Sequence, residues 1–191
     1  TVGLTISKQQ IAELDRVVYN GDIIVVDHIA QVKDAVNHLS SKTVIGFDTE
    51  TKPAFKRGQI NNVALLQLAT EEECYLFRLN KIGFPKELED LMSNINLKKI
   101  GLSLRDDFAA LRKRTGKTPE NFIDLQLFVD KFDIEDNSLQ KIYAILFGQK
   151  ISKSQRLSNW EAAELSPAQQ SYAAIDAWAC LCIYNHLTQK S

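Results

Sequence analysis

Residues 43–50, with the sequence TVIGFDTE, give the strongest indication of the fold in this chain of 191 residues. The apolar start of the stretch predicts a buried β-strand, and its far end turns acidic. Asp48 and Glu50 are two positions apart, so the alternation of side chains along a strand places both carboxylates on one face. Neighbouring carboxylates raise each other's pKa unless a cation lies between them. The stretch alone is consistent with a divalent-metal site and with a solvated strand end.

The flanking sequence supplies the other strands of a sheet. Residues 63–69 and 74–77 predict two further strands, and the short spacers indicate that these and the 43–50 strand form an antiparallel meander. Residues 23–26 predict an earlier strand, and residues 99–102 and 121–124 predict two later ones. The sequence therefore predicts an α/β fold with a mixed sheet of five to six strands.

Helices are predicted around these strands, and apolar residues at helical spacing mark most of them. The predicted helices cover residues 29–39, 85–94, 106–114, 125–131, 138–147 and 166–187. In the last helix, Ser166 is a suitable N-cap and Pro167 suits the first helical position. Helices that alternate with strands in this way are expected to cover both faces of the sheet.

The N-terminus and the composition indicate the class of protein. Residues 7–19 are amphipathic and predict a leading helix, so we expect an N-terminal helical extension over residues 1–20 and one domain over residues 21–191. The residues are 45% hydrophobic and 25% charged, without an apolar run of the length that a membrane helix needs and without the pattern of a signal peptide. We therefore predict a cytoplasmic protein that does not associate with membranes. The sequence gives no signal for the oligomeric state.

The net charge and the spacing of possible metal ligands limit the classes of function that the sequence allows. Three cysteines and three histidines show no zinc-binding spacing, and the thiols are expected to be reduced. The net charge of −1 argues against tight nucleic-acid binding by the whole surface, but it allows a local basic rim around an acidic centre.

Two further acidic elements accompany the pair on the strand. Asp106 and Asp107 open a predicted helix after a strand, where acidic residues also serve as caps. Tyr172 and Asp176 are four residues apart on the last helix and share one of its faces, and the alanines beside them would allow that helix to approach the sheet closely. Together the three elements supply four carboxylates and a phenol, which is the inventory of a two-metal phosphodiesterase.

These motifs resemble a known family. Residues 47–50, the Asp107 element and the Tyr172–Asp176 pair are similar to the three exonuclease motifs of the DEDD superfamily, tyrosine subclass, which includes ribonuclease D and the Werner-syndrome-type exonuclease domain. The segment Leu157-Ser158-Asn159-Trp160-Glu161, which leads into the last helix, more closely resembles the Werner type. The resemblance covers residues 23–188.

The resemblance selects Asp107 over Asp106 as the third carboxylate. In the family the ligand comes six residues after a glycine, and counting from Gly101 reaches Asp107. Asp106 would then be a capping residue, although it remains an alternative. Asp124 matches an acidic position of the family that we expect to be structural.

The resemblance also implies the fold and the chemistry. It implies a ribonuclease H-like fold and a 3′→5′ exonuclease that releases nucleoside 5′-monophosphates, with Tyr172 orienting the attacking water. Two Mg²⁺ or Mn²⁺ ions would be bound by Asp48, Glu50, Asp107 and Asp176. The substrate would be the 3′ end of a nucleic acid, and the Werner-type segment favours DNA over RNA.

Loops beside the acidic strand are candidates for binding the substrate. In and around the basic segment 51–62, we expect Thr49, Thr51, Phe55 and Arg57 to contact the terminal nucleotide, although the segment is also consistent with a plain surface hairpin. Arg156 is a candidate for a phosphate contact, and Trp160 is expected to pack in the interior.

Three other functions remain open on the sequence alone. They are a nucleic-acid-binding domain without activity, a phosphodiesterase of small molecules or cyclic dinucleotides, and a scaffolding domain whose acidic residues are caps.

Overall fold

A six-stranded sheet forms the centre of the computed structural model, which describes residues 3–189. The strands, numbered along the chain, are β1 (Asp15–Arg16), β2 (Asp22–Val26), β3 (Val44–Thr51), β4 (Val63–Ala69), β5 (Glu73–Arg78), β6 (Lys98–Gly101), β7 (Phe122–Asp124) and β8 (Gln149–Lys150). The central sheet has the order β2-β5-β4-β3-β6-β7. The predicted mixed sheet of five to six strands is confirmed.

The strand directions follow from the lengths of the connections. β3, β4 and β5 pair antiparallel, as predicted, because short loops join them. β2 lies parallel to β5, β6 lies parallel to β3, and β7 lies parallel to β6, and these connections contain helices. Asp48 stands opposite Gln67, and the register shifts between Glu50 and Thr51, where β3 leaves regular pairing.

Helices cover both faces of the sheet, as predicted. They are α1 (Lys8–Ala12), α2 (Val32–Ser40), α3 (Leu79–Ile82), α4 (Lys86–Met92), α5 (Leu104–Leu111), α6 (Leu125–Phe128), α7 (Leu139–Phe147) and α8 (Pro167–Gln189). One core packs α2, α4 and α5 against the sheet. The other packs α7 and α8 against the opposite face. Within residues 3–189 no helix has both the length and the apolar character needed to cross a membrane.

The N-terminal segment differs from its prediction. The helix predicted over residues 7–19 is only α1, which Ser7 and Gln10 begin with a capping box. The chain then becomes extended, and β1 pairs parallel with β8, while Val17 is buried in the α7–α8 core. This pairing is non-local and outweighs local helix propensity. Residues 1 and 2 of the predicted extension lie outside the described residues, and the division of the chain at residue 20 stays a prediction.

Two other differences are small. The helix predicted over residues 125–131 is α6 followed by a 3₁₀ turn, Val129–Phe132, and α3 and β8 were not predicted. Each of these elements is four residues or fewer, which is too short for a clear periodicity.

Helix α8 lies close to β3. Ala173, Ala174 and Ala177 are fully buried, and a Cβ atom on Gly46 would lie 1.9 Å from the carbonyl oxygen of Ala177. Ser166 caps the helix as predicted, since its Oγ accepts from the amide of Gln169 at 3.1 Å. Small residues on both elements therefore bring the middle of α8 against the acidic end of β3.

Candidate active site

Three carboxylates meet where β3 and α8 approach. One oxygen from each of Asp48, Glu50 and Asp176 lies within 4.8 Å of the other two. The two β3 residues share the sheet face that α8 covers, because they alternate with Thr49 along the strand. Asp176 is buried, and Asp48 and Glu50 are half-buried. We call these three residues the carboxylate cluster.

Burial and mutual repulsion disfavour the ionised form of the cluster. Burial, followed by the charges of Glu50 and Asp176, raises the pKa of Asp48 well above its ordinary value. Burial, with the charge of Asp176, raises the pKa of Glu50 to about 9. Burial also raises the pKa of Asp176 to about 7, although Tyr172 and Lys153 act in the opposite direction. A cation among these oxygens would remove the repulsion and favour ionisation.

The donor set fits a hard divalent cation. Oδ1 of Asp176 is buried and has no hydrogen-bond partner among the described residues. A buried carboxylate oxygen without a partner is costly unless it binds a cation. All three residues of the cluster are carboxylates, and hard oxygen ligands suit Mg²⁺ or Mn²⁺. The cluster therefore has the chemistry of a divalent-metal site.

Tyr172 lies one helical turn before Asp176 and points at the same site. Its phenol interacts with the Asp176 carboxylate, and burial is the main reason that its pKa lies far above the ordinary value. The ring is 5.9 Å from that of Trp160, between centroids. Trp160 is fully buried, which confirms the predicted packing role. Tyr172 thus presents a protonated hydroxyl from a fixed ring.

Asp107 lies beside the cluster rather than within it. Its Oδ1 accepts a short hydrogen bond from Oγ1 of Thr49, and its charge acts on both Asp48 and Glu50. Burial raises the pKa of Asp107 to about 6. Asp106 is exposed. The geometry therefore brings Asp107, and not Asp106, to the site, while its role as a metal ligand stays a prediction.

The capping role predicted for Asp106 is wrong. Asp124 takes that role, because its carboxylate accepts from the amides of Ser103 and Leu104, both at 3.0 Å, where α5 begins. Ser103 itself has a left-handed backbone and makes no side-chain cap. The cap comes from β7, which is distant in sequence, so the local pattern around residue 106 did not reveal it. Asp124 is structural, as expected.

Two buried polar residues support the site and were not predicted. Gln67 is fully buried on β4 opposite Asp48, and its side chain interacts with Glu50 and donates to the carbonyl of Ala173 at 3.3 Å. Arg78 is 1% exposed and donates to carbonyl oxygens of residues 160, 162 and 163. A lone polar residue inside or at the end of an apolar strand was the available signal for both.

The predicted substrate-binding residues occupy different positions. Thr49 is at the site, and Thr51 is exposed at the end of β3. Phe55 is 82% exposed, and Arg57 and Arg156 are also exposed. Among residues 3–189, no ion pair joins either arginine to the cluster. Their contacts with a substrate stay predictions.

An open cavity of about 300 Å³ gives access to the cluster from the side of α7. Asp48, Asp176 and Cys180 line its inner end. The outer part is lined by Leu102, Gln126, Asn137, Ser138, Leu139 and Gln140. The site is thus a half-buried acidic centre at the end of an entrance with polar and apolar lining residues.

Comparison with known proteins agrees with this geometry. A family model described as 3′-5′ exonuclease matches residues 23–191. The bifunctional 3′-5′ exonuclease/ATP-dependent helicase WRN of Mus musculus is 34% identical over 161 residues, which are 81% of this chain and 12% of that protein. The chain therefore spans a small part of this relative.

Solved structures show the same fold. The Nibbler EXO domain of Aedes aegypti superposes with a TM-score of 0.80 at 24% identity, over 91% of this chain and 92% of that one. Trypanosoma brucei RNase D, in complex with RNA U12, superposes with a TM-score of 0.78 at 23% identity, over 88% of this chain and 63% of that one.

Proposed function

The chain belongs to the 3′-5′ exonuclease family, and we propose that it hydrolyses the 3′-terminal phosphodiester of a nucleic acid, with DNA preferred over RNA. The observation that carries this proposal is the cluster of Asp48, Glu50 and Asp176, whose oxygens lie within 4.8 Å of one another at an open cavity. A scaffold has no need for three carboxylates grouped so closely, because their desolvation and mutual repulsion cost stability.

Four carboxylates would hold the metal ions. Asp48, Glu50 and Asp176 supply the clustered oxygens, and Asp107 supplies a further carboxylate beside them. Two Mg²⁺ or Mn²⁺ ions bound there would supply a nucleophile at neutral pH and charge stabilisation of the attacking and leaving oxygens. Thr49 holds Asp107 by its hydroxyl, and Gln67 holds Glu50 from the neighbouring strand.

Tyr172 has the properties of a group that positions water. Its raised pKa keeps the phenol protonated, so that it can donate a hydrogen bond, and Trp160 restricts the ring. With the hydroxyl oriented by Asp176, an attacking water can be held in line with the terminal phosphodiester. Attack at phosphorus with departure of the 3′ oxygen releases a nucleoside 5′-monophosphate.

Exposed side chains of the segments that follow β3 and precede α8 would bind the terminal nucleotides. Phe55 is available for stacking on a base, and Arg57 and Arg156 are available for phosphates. Thr49 and Thr51 lie at the end of β3, where the terminal sugar would approach. The preference for DNA is supported by the resemblance of residues 157–161 to the Werner type.

The test is nucleotide release from oligonucleotides labelled at the 5′ end, so that successive removal from the 3′ end appears as a ladder. Matched DNA and RNA strands are digested side by side with Mg²⁺ or Mn²⁺. Asp176→Asn and Asp107→Asn are expected to lower the rate at least 100-fold, while Asp106→Asn, at an exposed neighbour, retains it. Full activity of Asp176→Asn would refute the proposed site, and faster digestion of RNA would refute the preference for DNA.

A further inference from the structure

A basic groove lies between the N-terminal segment and the cavity that reaches the carboxylate cluster. A cavity of about 480 Å³ lies between α1, the start of α7 and residues 151–153. It shares Asn137, Ser138 and Gln140 with the cavity that reaches Asp48 and Asp176. The two cavities are therefore neighbours, and both lie along the start of α7.

The outer part of this groove is lined by cations. Lys8, Lys141 and Lys153 line it, against a single acidic residue, Asp136. Oδ2 of Asp136 accepts from the Thr5 hydroxyl at 2.8 Å, and its Oδ1 accepts from Lys141 at 3.4 Å. Lys8 and Lys153 are exposed, and neither makes an ion pair among the residues that the structure describes. A local excess of positive charge thus lies beside the acidic site of a chain with net charge −1.

The wall that carries Lys8 is fixed to the domain. The amide of Ile6 donates to Oδ2 of Asp136 at 2.9 Å, and the amide of Glu135 donates to the carbonyl of Leu4 at 2.9 Å. At the C-terminal end of α1, Nζ of Lys150 donates to the carbonyl of Ala12 at 2.9 Å. Hydrogen bonds on both sides of α1 therefore hold Lys8 in place over the groove.

We propose that this groove binds the phosphodiester backbone of the substrate strand upstream of its 3′-terminal nucleotide, with Lys8 and Lys153 as the phosphate contacts. The inference rests on the proposed exonuclease function. The chemistry is complementary, because a polyanion that enters an acidic site needs cations along its path. Ile11, which is half-buried, adds apolar surface to the lining, where a base can rest. Lys8 lies before residue 23, where the family match begins, so this contact is an addition by the N-terminal segment.

Substrates of different length distinguish binding in the groove from catalysis at the site. A dinucleotide occupies the site alone, whereas a strand of about 12 nucleotides also fills the groove. Lys8→Glu is therefore expected to weaken binding of the 12-mer roughly tenfold and to lower the slope of log K against log salt by about 0.7 for the lost phosphate contact. Hydrolysis of a dinucleotide should be unchanged. An acidic residue in the first turn of a helix is favourable, so the variant is expected to fold.

The experiment compares wild type, Lys8→Glu and the control Lys33→Glu, an exposed lysine on α2 with the same change of charge. Binding is measured by fluorescence anisotropy with a 12-mer whose last three linkages are phosphorothioates, so that it stays intact. KM and kcat are measured on dinucleotide and normal 12-mer. We expect a higher KM for the 12-mer in Lys8→Glu but not in Lys33→Glu, with kcat unchanged in both variants.

Two results overturn the proposal. One is equal binding of the 12-mer by Lys8→Glu and Lys33→Glu, which would mean that the strand leaves the site in another direction. The other is an equal loss on dinucleotide and 12-mer, which would indicate a structural effect. Failure of the proposed function is a different outcome, since wild type would then bind the 12-mer through Lys8 without releasing nucleotides.

Discussion

The replacement of Asp176 by asparagine is expected to stabilise the metal-free protein while it removes activity. Burial is the main cause that raises the pKa of this carboxyl from 3.8 to about 7. The difference is about 3 pKa units, and each unit corresponds to about 1.4 kcal/mol, so ionisation of Asp176 costs the folded state roughly 4 kcal/mol above pH 7. An amide of the same shape avoids that cost, although its own burial costs about 1–2 kcal/mol. We expect a net gain of about 2 kcal/mol at pH 8.

The stability of the metal-free protein is expected to depend on pH. Because the pKa in the folded state lies above the value of 3.8 in the unfolded state, the folded protein binds more protons between these values. The stability of metal-free wild type should therefore fall as the pH rises from about 4 to 7, and Glu50, with a pKa of about 9, extends the fall. Asp176→Asn should make this decline smaller, so the variant gains more at pH 8 than at pH 5.

The assay is urea unfolding in EDTA at pH 5 and pH 8, followed by titration with Mn²⁺ at pH 8. Binding to the folded state alone stabilises wild type by about 2.7 kcal/mol when the metal is at 100 times its Kd, and the variant should gain much less. Asp106→Asn is the control, because Asp106 is exposed on the same helix as Asp107. Lower stability of Asp176→Asn at both pH values, or equal stabilisation of both proteins by Mn²⁺, would contradict this account of Asp176.

Three further predictions concern buried residues of the central sheet. Gly46→Ala places a methyl group against the carbonyl of Ala177. We expect the free energy of unfolding, measured by thermal unfolding, to fall by about 1–3 kcal/mol and the rate of nucleotide release to decrease. Wild-type values for both would contradict the close contact. Arg78→Gln leaves the carbonyl groups of residues 160, 162 and 163 without their donor, so it should shift Trp160 fluorescence to the red and lower kcat. An unchanged spectrum would show that this loop keeps its structure without Arg78. Burial lowers the pKa of Lys99 from 10.5 to about 8, so the unfolded chain binds more protons than the folded protein between these pH values. Wild type should therefore gain stability relative to Lys99→Met as the pH rises from 8 to 10.5. A difference in urea midpoints that stays constant over this range would contradict the prediction.

Local patterns predicted most of the fold and part of the site. The apolar run of residues predicts strand β3, and the alternation of side chains along a strand places Asp48 and Glu50 on one face. The proximity of Tyr172 and Asp176 follows from helical spacing. The errors lie where a distant segment decides the structure. The helix predicted over residues 7–19 ends early because β1 pairs with β8, and the cap of α5 comes from Asp124 on β7.

The close approach of α8 to β3 links the stability of the protein to its chemistry. Gly46 lies two residues before Asp48, on the same face of β3, and Ala177 follows Asp176 directly. The contact that excludes a methyl group therefore lies next to two of the carboxylates. A larger residue at either position would move α8 outward and separate Asp176 from Asp48 and Glu50, so that one cation could no longer contact all three. The small residues thus bring the carboxylates close enough both to repel one another in the metal-free protein and to share a metal ion.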